Sequence, residues 1–526
     1  KPLQSAWTCG RSLPGHNLSI RYGSNFTIVV NHRMSLKNFI RYTALLTLAL
    51  LPLSAQLRLT GGVADFQVFQ RNSANTADLA LSGEAKGAEG KRVEARILRT
   101  NPVREERGWA SIGTVSGGRW QGAVTGVPVG GPYSLELRVQ GTDQVARAVG
   151  LLVGDLWVLA GQSNMEGVGD LVDVVPPHTL VHSFDMADTW LVAQEPLHFL
   201  AYALDRVHWA RGRNQTQPQR LPADRLDDAI RARKKGAGLG LPFAVEMVRL
   251  TGVPVGLIPV AHGGTSMDQW DPAKRDLGGD SLYGSMIRRV KAAGGNVKGV
   301  LWYQGESDAT EEDAPLYYEK FKNFIAAVRR DFNAPNLPFY YAQIGLHINT
   351  TTPDSWDAVQ EAERKLELEL AHSGMVPTVD AELDDGIHVG TQSLKVTGKR
   401  FAKLACHDLF PEVAACRGIE RGPRPVKATR IDPRIIRLEC ASVNGKLTSA
   451  GKMWGFTVVS PGAKRAPEFF KATPDPENPH ALLIYFQGAL NDAELQLYYV
   501  KGRYDYANVV DEAGMALPAF GPMKVD

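Results

Sequence analysis

The stretch Gly154–Gly169, GDLWVLAGQSNMEGVG, constrains the chain more than any other, because it sets an apolar run directly against a compact polar turn flanked by glycines. LWVLAG is apolar and partly β-branched, which suits a buried parallel strand, and Gly161 permits a tight turn as the chain leaves the sheet. Open α/β sheets bind ligands beyond the carboxyl ends of their strands. Ser163, just past such a strand, is therefore placed to act as a nucleophile. A serine there is also an ordinary turn residue, so this reading needs partners elsewhere in the chain.

Downstream, apolar strand patterns at Leu156–Gly161, Leu180–Phe184, Val255–Ala261, Val297–Tyr303, Leu337–Ile344 and Met375–Val379 alternate with helical ones at Pro242–Thr251, Ser281–Ala293, Pro315–Phe332, Trp356–Ala371 and Ser393–Phe410. This βαβα alternation over 150–412 predicts a parallel sheet with helices on both faces. Residues 188–235 break the rhythm and read as an insertion beside the site, in which RLPADRLDDAIRARKK forms a charged surface helix. Upstream, 56–149 carries short period-two stretches broken by glycine, the pattern of a small β-sandwich-like domain. Trp109, Trp120 and Tyr133 are read there as core or edge aromatics in preference to sugar-stacking platforms. ERGPRPVKATR closes a linker at 413–430, and 431–526 reads as a second β domain.

From Met34 the chain reads MSLKNFIRYTALLTLALLPLSAQ, with Lys37 and Arg41 ahead of an apolar core at Tyr42–Leu53 and small residues at Ser54 and Ala55. That is the pattern of a signal peptide over 34–55, with 1–33 an upstream extension and the rest exported to a periplasmic or extracellular space. The apolar core falls short of the ~20 residues that span a bilayer, and no later segment is long enough. Lys+Arg at 59 against Asp+Glu at 56 leaves a formal charge of +3, which points to no nucleic-acid partner. Cys9 lies in the extension. Of Cys406, Cys416 and Cys440, the first two are the nearest pair for a disulfide, and buried free thiols fit equally well. No cysteine spacing resembles a zinc site.

A serine nucleophile requires a base, a group to orient that base, and donors for the developing oxyanion. In VDAELDDGIHV, Asp385 and His388 stand three apart around Gly386, a spacing that lets a carboxylate accept the Nδ1 proton and leaves Nε2 free to face a serine. Asp384 and Asp380 compete for the role of Asp385. Gly263 and Gly264, in HGGTSMDQW after the third of these strands, offer backbone N–H groups, and Gln304 in WYQGESD offers a side-chain amide. Glu306 is read first as support for its loop. His262 reads as a pocket or packing residue, and Gln162, Asn164 and Asp268 as hydrogen-bonding support.

GQSNMEG at Gly161–Gly167, GGTSMDQW at Gly263–Trp270, WYQGESD at Trp302–Asp308 and DGIH at Asp385–His388 together resemble the signature blocks of the sialate O-acetylesterase-type branch of the SGNH (GDSL-like) hydrolases, which includes acetylxylan esterases. The resemblance spans about 150–410. It implies a flavodoxin-like three-layer α/β/α domain with a parallel sheet, here flanked by N- and C-terminal β domains, and deacetylation of an O-acetylated carbohydrate with neither metal nor cofactor. It implies Ser163 as nucleophile, His388 as base and Asp385 as its orienting acid. The N–H of Ser163, Gly264 in preference to Gly263, and Gln304 are implied as oxyanion donors. Acetylxylan or another plant polysaccharide is the alternative substrate. A non-catalytic carbohydrate-binding protein is the alternative class.

Overall fold

The computed structural model describes residues 19–21, 27–29, 57–210, 217–460, 467–490, 494–502 and 506–526. The chain divides into two units, Lys1–Gln56 and Leu57–Asp526. In the first, Ser19–Arg21 pairs antiparallel with Thr27–Val29. The signal peptide expected over 34–55, like Cys9, lies outside the described residues.

The second unit is built on a mixed sheet whose main path holds β1 (Val145–Gly161), β2 (Val181–Phe184), β3 (Trp190–Val192), β4 (Val255–Pro259), β5 (Gly299–Tyr303), β6 (Phe339–Gln343) and β7 (Ser373–Pro377). Their spatial order is β3-β2-β4-β1-β5-β6-β7. Neighbours are parallel apart from the edge pair β2–β3, so the sheet is not wholly parallel as expected. The short link Asp185–Thr189 accounts for that: a connection of a few residues can only turn back as a hairpin. Every residue of β2 and β4–β7 is buried, which explains their largely apolar sequences, with His182, Ser183, Gln343 and Ser373 as polar exceptions.

The helices are α1 (Ser163–Glu166), α2 (Ala223–Ala232), α3 (Gly240–Thr251), α4 (Leu282–Ala293), α5 (Ala314–Asp331), α6 (Pro353–Glu369) and α7 (Thr391–Leu409). Helix α3 packs against α7, and α5 against α6. Helix α2 buries none of its residues, as its charge pattern predicted. Strand β1 is flanked by β4 on one side and β5 on the other. Its carboxyl end is therefore the point where the chain's connections reverse direction, the position at which open sheets hold their ligands.

Strand β1 also belongs to a second set of pairings. Residues 145–153 pair antiparallel with Gly130–Val139, and 152–154 lie parallel to Val68–Gln70. The change of pattern at residue 150 thus lies inside one strand. Gly150 adopts a left-handed φ of 69°, and a Cβ there would stand 2.6 Å from the Phe66 ring, so glycine marks a bulge in the strand and not its end. Upstream of it, Leu57–Gly61, Thr76–Ala85 and Arg119–Pro128 form a separate three-stranded sheet. Trp120 and Tyr133 are buried in the core around these strands. Trp109 lies under the guanidinium groups of Arg96 and Arg138, at 4.8 and 4.2 Å.

At the far end, Arg424–Asp432, Ile435–Ala441, Ala481–Gln487 and Glu468–Pro474 form one sheet, and Phe456–Val459, Gln496–Tyr499 and Phe520–Lys524 another. Leu438, Ile484 and Leu497 lie in their common core. The segment expected as a linker at 413–430 is held in place. Arg421 bridges to Asp408 at 2.7 Å, Arg424 to Glu367 at 2.6 Å, and Cys406 is disulfide-bonded to Cys416. Cys440 is a buried free thiol. Among the described residues no helix is long and apolar enough to cross a membrane.

Candidate active site

Four chain segments converge beyond the carboxyl end of β1. Gly161, at φ 133°, ends the strand, and a Cβ there would lie 2.1 Å from the Tyr303 carbonyl oxygen. No other residue lets β1 and β5 stay paired up to the turn. Ser163 then opens the one-turn helix α1, so its own N–H has no acceptor one turn back.

The imidazole of His388 lies between Ser163 and Asp385. Its Nε2 is 3.1 Å from Ser163 Oγ, and its Nδ1 is 2.7 Å from Asp385 Oδ2. The other carboxylate oxygen, Oδ1, accepts the backbone N–H groups of Ile387 and His388, both at 2.9 Å. Desolvation acts to raise the Asp385 carboxyl, but the hydrogen bonds from the His388 ring and these two N–H groups outweigh it and hold the carboxyl at about 2. A carboxylate can only accept, so Nδ1 carries the ring proton and the neutral ring presents a bare Nε2 to the serine hydroxyl. The competing aspartates are engaged elsewhere: Asp380 is paired with Arg400 at 2.6 Å, and Asp384 faces Lys235 at 3.8 Å.

Asn164 ties the serine turn to the histidine turn. Its Nδ2 donates to Glu306 Oε1 at 2.7 Å, and its Oδ1 accepts the Val389 N–H at 3.0 Å. Burial pushes the Glu306 carboxyl up. Through this bond Glu306 ties its loop to the serine turn. Gln162 does the same, its Oε1 accepting the Ser307 N–H at 3.2 Å. Asp268 is exposed and pairs with Lys320 at 2.8 Å.

Two of the expected oxyanion donors are engaged within the protein. The N–H of Gly263 donates to Glu166 Oε2 at 2.8 Å. Glu166 lies one helical turn beyond Ser163, which brings its carboxylate to the glycine loop; burial pushes that carboxyl up against the pull of the N–H. Gln304 is fully buried, and its Nε2 donates to the Thr265 carbonyl at 3.1 Å and to Asp308 Oδ2. Both amide hydrogens are taken because the buried Asp308 carboxylate needs partners, and it also accepts the Met267 N–H at 3.0 Å. By contrast, the N–H groups of Ser163 and Gly264 have no partner among the described residues. Gly264 sits at φ 66°, a left-handed conformation that suits glycine. Sequence reasoning passed over Glu166 and Asp308 although both lie inside the quoted motifs. The i+3 spacing of Glu166 from Ser163 was the available signal.

Residues 153–407 match the family described as carbohydrate esterase, sialic acid-specific acetylesterase. The Arabidopsis thaliana protein At4g34215, named a probable carbohydrate esterase, is 28% identical over 277 residues, covering 47% of this chain and 88% of its own. A carbohydrate acetylesterase from Xanthomonas citri shares the fold, with a TM-score of 0.58 at 21% identity over 88% of this chain and 99% of its own. The chain is a carboxylic ester hydrolase. More narrowly, residues 153–407 form a carbohydrate-esterase domain of the sialate O-acetylesterase type, and the activity is that of a carbohydrate acetylesterase.

Proposed function

We propose that Ser163 is the nucleophile of a Ser/His/Asp deacetylation. The Ser163 hydroxyl attacks the acetyl carbonyl as His388 Nε2 takes its proton, while Asp385 holds the ring and stabilises the imidazolium that forms. The oxyanion is met by the N–H groups of Ser163 and Gly264, and Gln304 and Glu166 brace the loop that carries the second. His388 then protonates the departing sugar oxygen, and water activated by the same ring hydrolyses the acetyl-enzyme to acetate and free Ser163. The observation that carries this reading is the 3.1 Å approach of His388 Nε2 to Ser163 Oγ with Asp385 behind it.

Several further parts belong to the same reading. The α/β region is a flavodoxin-like SGNH layering over 150–412, flanked by β domains at 56–149 and 431–526. The signal pattern over 34–55 directs export. The substrate is an O-acetylated sugar of the sialate or plant-polysaccharide type. Acetate release from O-acetylated sialic acid, acetylxylan and acetylated pectin, with Ser163→Ala as control, tests the proposal. Release that depends on Ser163 from one of these supports it, and undiminished release by S163A overturns it.

A further inference from the structure

One buried polar chain plays no part in the deacetylation described above. It begins where the Arg288 Nε approaches Asp205 Oδ1 at 2.7 Å. Asp205 Oδ2 accepts the hydroxyl proton of Ser285, at 2.5 Å. Ser285 Oγ lies 3.3 Å from His208 Nε2, and His208 Nδ1 lies 3.1 Å from His262 Nδ1. The two imidazole planes are inclined by only 20°, with centroids 5.3 Å apart. That separation exceeds the nitrogen–nitrogen distance by about two ring radii, so the rings meet edge to edge in a common plane, as an in-plane hydrogen bond requires.

The direction of every proton in this chain is fixed from one end. A carboxylate paired with arginine only accepts, so the single hydroxyl proton of Ser285 goes to Asp205, and Ser285 Oγ must accept from His208 Nε2–H. Burial, reinforced by the nearby guanidinium charges of Arg289 and Arg288, drives His208 well below the usual histidine value, so the ring is neutral and its Nδ1 is bare. That bare nitrogen must be met by Nδ1–H of His262, which burial likewise keeps neutral. His262 is therefore left with a lone pair on Nε2, which has no partner among the described residues.

The backbone of the residue that carries this acceptor borders the reaction site. His262 immediately precedes Gly263 and Gly264, and its backbone N–H donates to the Gly161 carbonyl at 3.1 Å. With Val207, Thr265, Gln269, Lys274 and Leu282, His262 lines a cavity of about 330 Å³. The Thr265 hydroxyl is already engaged, donating to the His262 carbonyl and accepting from the Trp270 indole. Other polar side chains of the wall are also engaged: Gln269 accepts the Ser266 N–H, Lys274 donates to the Asp268 carbonyl, Ser281 donates to the Lys274 carbonyl, and Asp280 faces Arg206 at 3.7 Å. His262 Nε2 is an imidazole acceptor on this wall with no partner among the described residues.

We propose that this cavity holds the pyranose carrying the acetyl group, and that His262 Nε2 accepts a hydrogen bond from a free hydroxyl of that sugar, with Asp205, Ser285 and His208 as positioning residues that keep the lone pair facing it. The inference rests on Ser163 being the nucleophile, because the cavity is assigned by its adjacency to the Gly263–Gly264 turn. It selects sugars with an unprotected hydroxyl near the ester over fully acetylated or deoxygenated ones.

Two measurements test it. Long-range ¹⁵N–¹H correlation spectra of the full chain read the tautomers directly: a proton on His262 Nδ1 and on His208 Nε2 supports the assignment, and a proton on His262 Nε2 overturns it. Kinetics then compare the best O-acetylated glycoside in the substrate panel, its analogue deoxygenated at the neighbouring carbon, and 4-nitrophenyl acetate. In His262→Phe, kcat/KM for the glycoside relative to the aryl ester falls about tenfold through KM, the size of one lost hydrogen bond, and the preference for glycoside over deoxy analogue disappears. His262→Gln, which restores an acceptor, recovers part of the preference. An S163A variant that stays active defeats the catalytic reading whatever His262 does. With S163A inactive, equal effects on all three substrates, or none, defeat this inference alone.

Discussion

The Nε2 of His388 and the Oγ of Ser163 lie 3.1 Å apart although 225 positions separate them in the chain. Ser163 sits beyond β1 at the centre of the sheet, whereas His388 sits on the turn between β7 and α7 at its edge. The edge turn reaches inward because Asn164, next to the nucleophile, accepts the N–H of Val389, next to the base.

Removal of triad members should therefore be unequal. S163A lowers kcat on an aryl acetate by about 10⁴–10⁶-fold and D385N by about 10²–10⁴-fold, the second leaving serine and base in place. D384N stays close to the parent because Asp384 faces Lys235 at 3.8 Å and not the imidazole. Steady-state kinetics of the three variants checks the assignment. Strong loss in D384N with none in D385N would move the role by one residue.

Asn164→Ala leaves the Val389 N–H and the Glu306 carboxyl without their shared partner. Each buried group so orphaned costs about 1–3 kcal/mol, so urea denaturation should register a loss of about 2–6 kcal/mol. Activity should fall in conditions where the variant is still fully folded, because the same side chain joins the two catalytic turns.

Burial lifts the Asp308 carboxyl from 3.8 to about 6 despite hydrogen bonds from Met267 and Gln304. A folded-state pKa above the unfolded one means that the folded protein holds the proton more tightly. The stabilising contribution is thus complete below about pH 4 and is lost as the pH rises through about 6. In Asp308→Asn the stability profile measured by denaturation from pH 4 to 7 should lack this decline.

The Cys406–Cys416 bond closes a loop of sequence separation 10. Loop-closure entropy assigns such a crosslink about 2–3 kcal/mol, so C406S with C416S should lower the unfolding free energy by that amount while leaving kcat unchanged. Cys440, whose thiol burial pushes up to about 12, should react with an aromatic disulfide reagent only once the protein unfolds.

The parallel strands could be read from the sequence because burial on both faces favours largely apolar runs, and each of the six expected segments contains a strand. The Asp385–His388 pairing was legible for a local reason: three residues around a glycine suffice to bring carboxylate and imidazole together. The vacancy of a donor was less accessible. Whether Gly263 or Gly264 keeps a free N–H depends on where Glu166 points, and whether Gln304 does depends on what the buried Asp308 requires. The chain from Asp205 through Ser285 and His208 to His262 draws on an irregular insertion and a helix 77 residues beyond His208, with no periodic signal to announce it. At residue 150 the sequence pattern changes without a break in the strand, because a glycine bulge within a strand looks in sequence like a break between elements.

That bulged strand has a mechanical meaning. Because β1 runs without a joint from the antiparallel pairing at Val145 to the turn before Ser163, the two sheets it belongs to have no hinge between them at this crossing. The same strand also bears on dissection of the chain: a gene cut at residue 150 would divide one strand, Val145–Gly161, between two products.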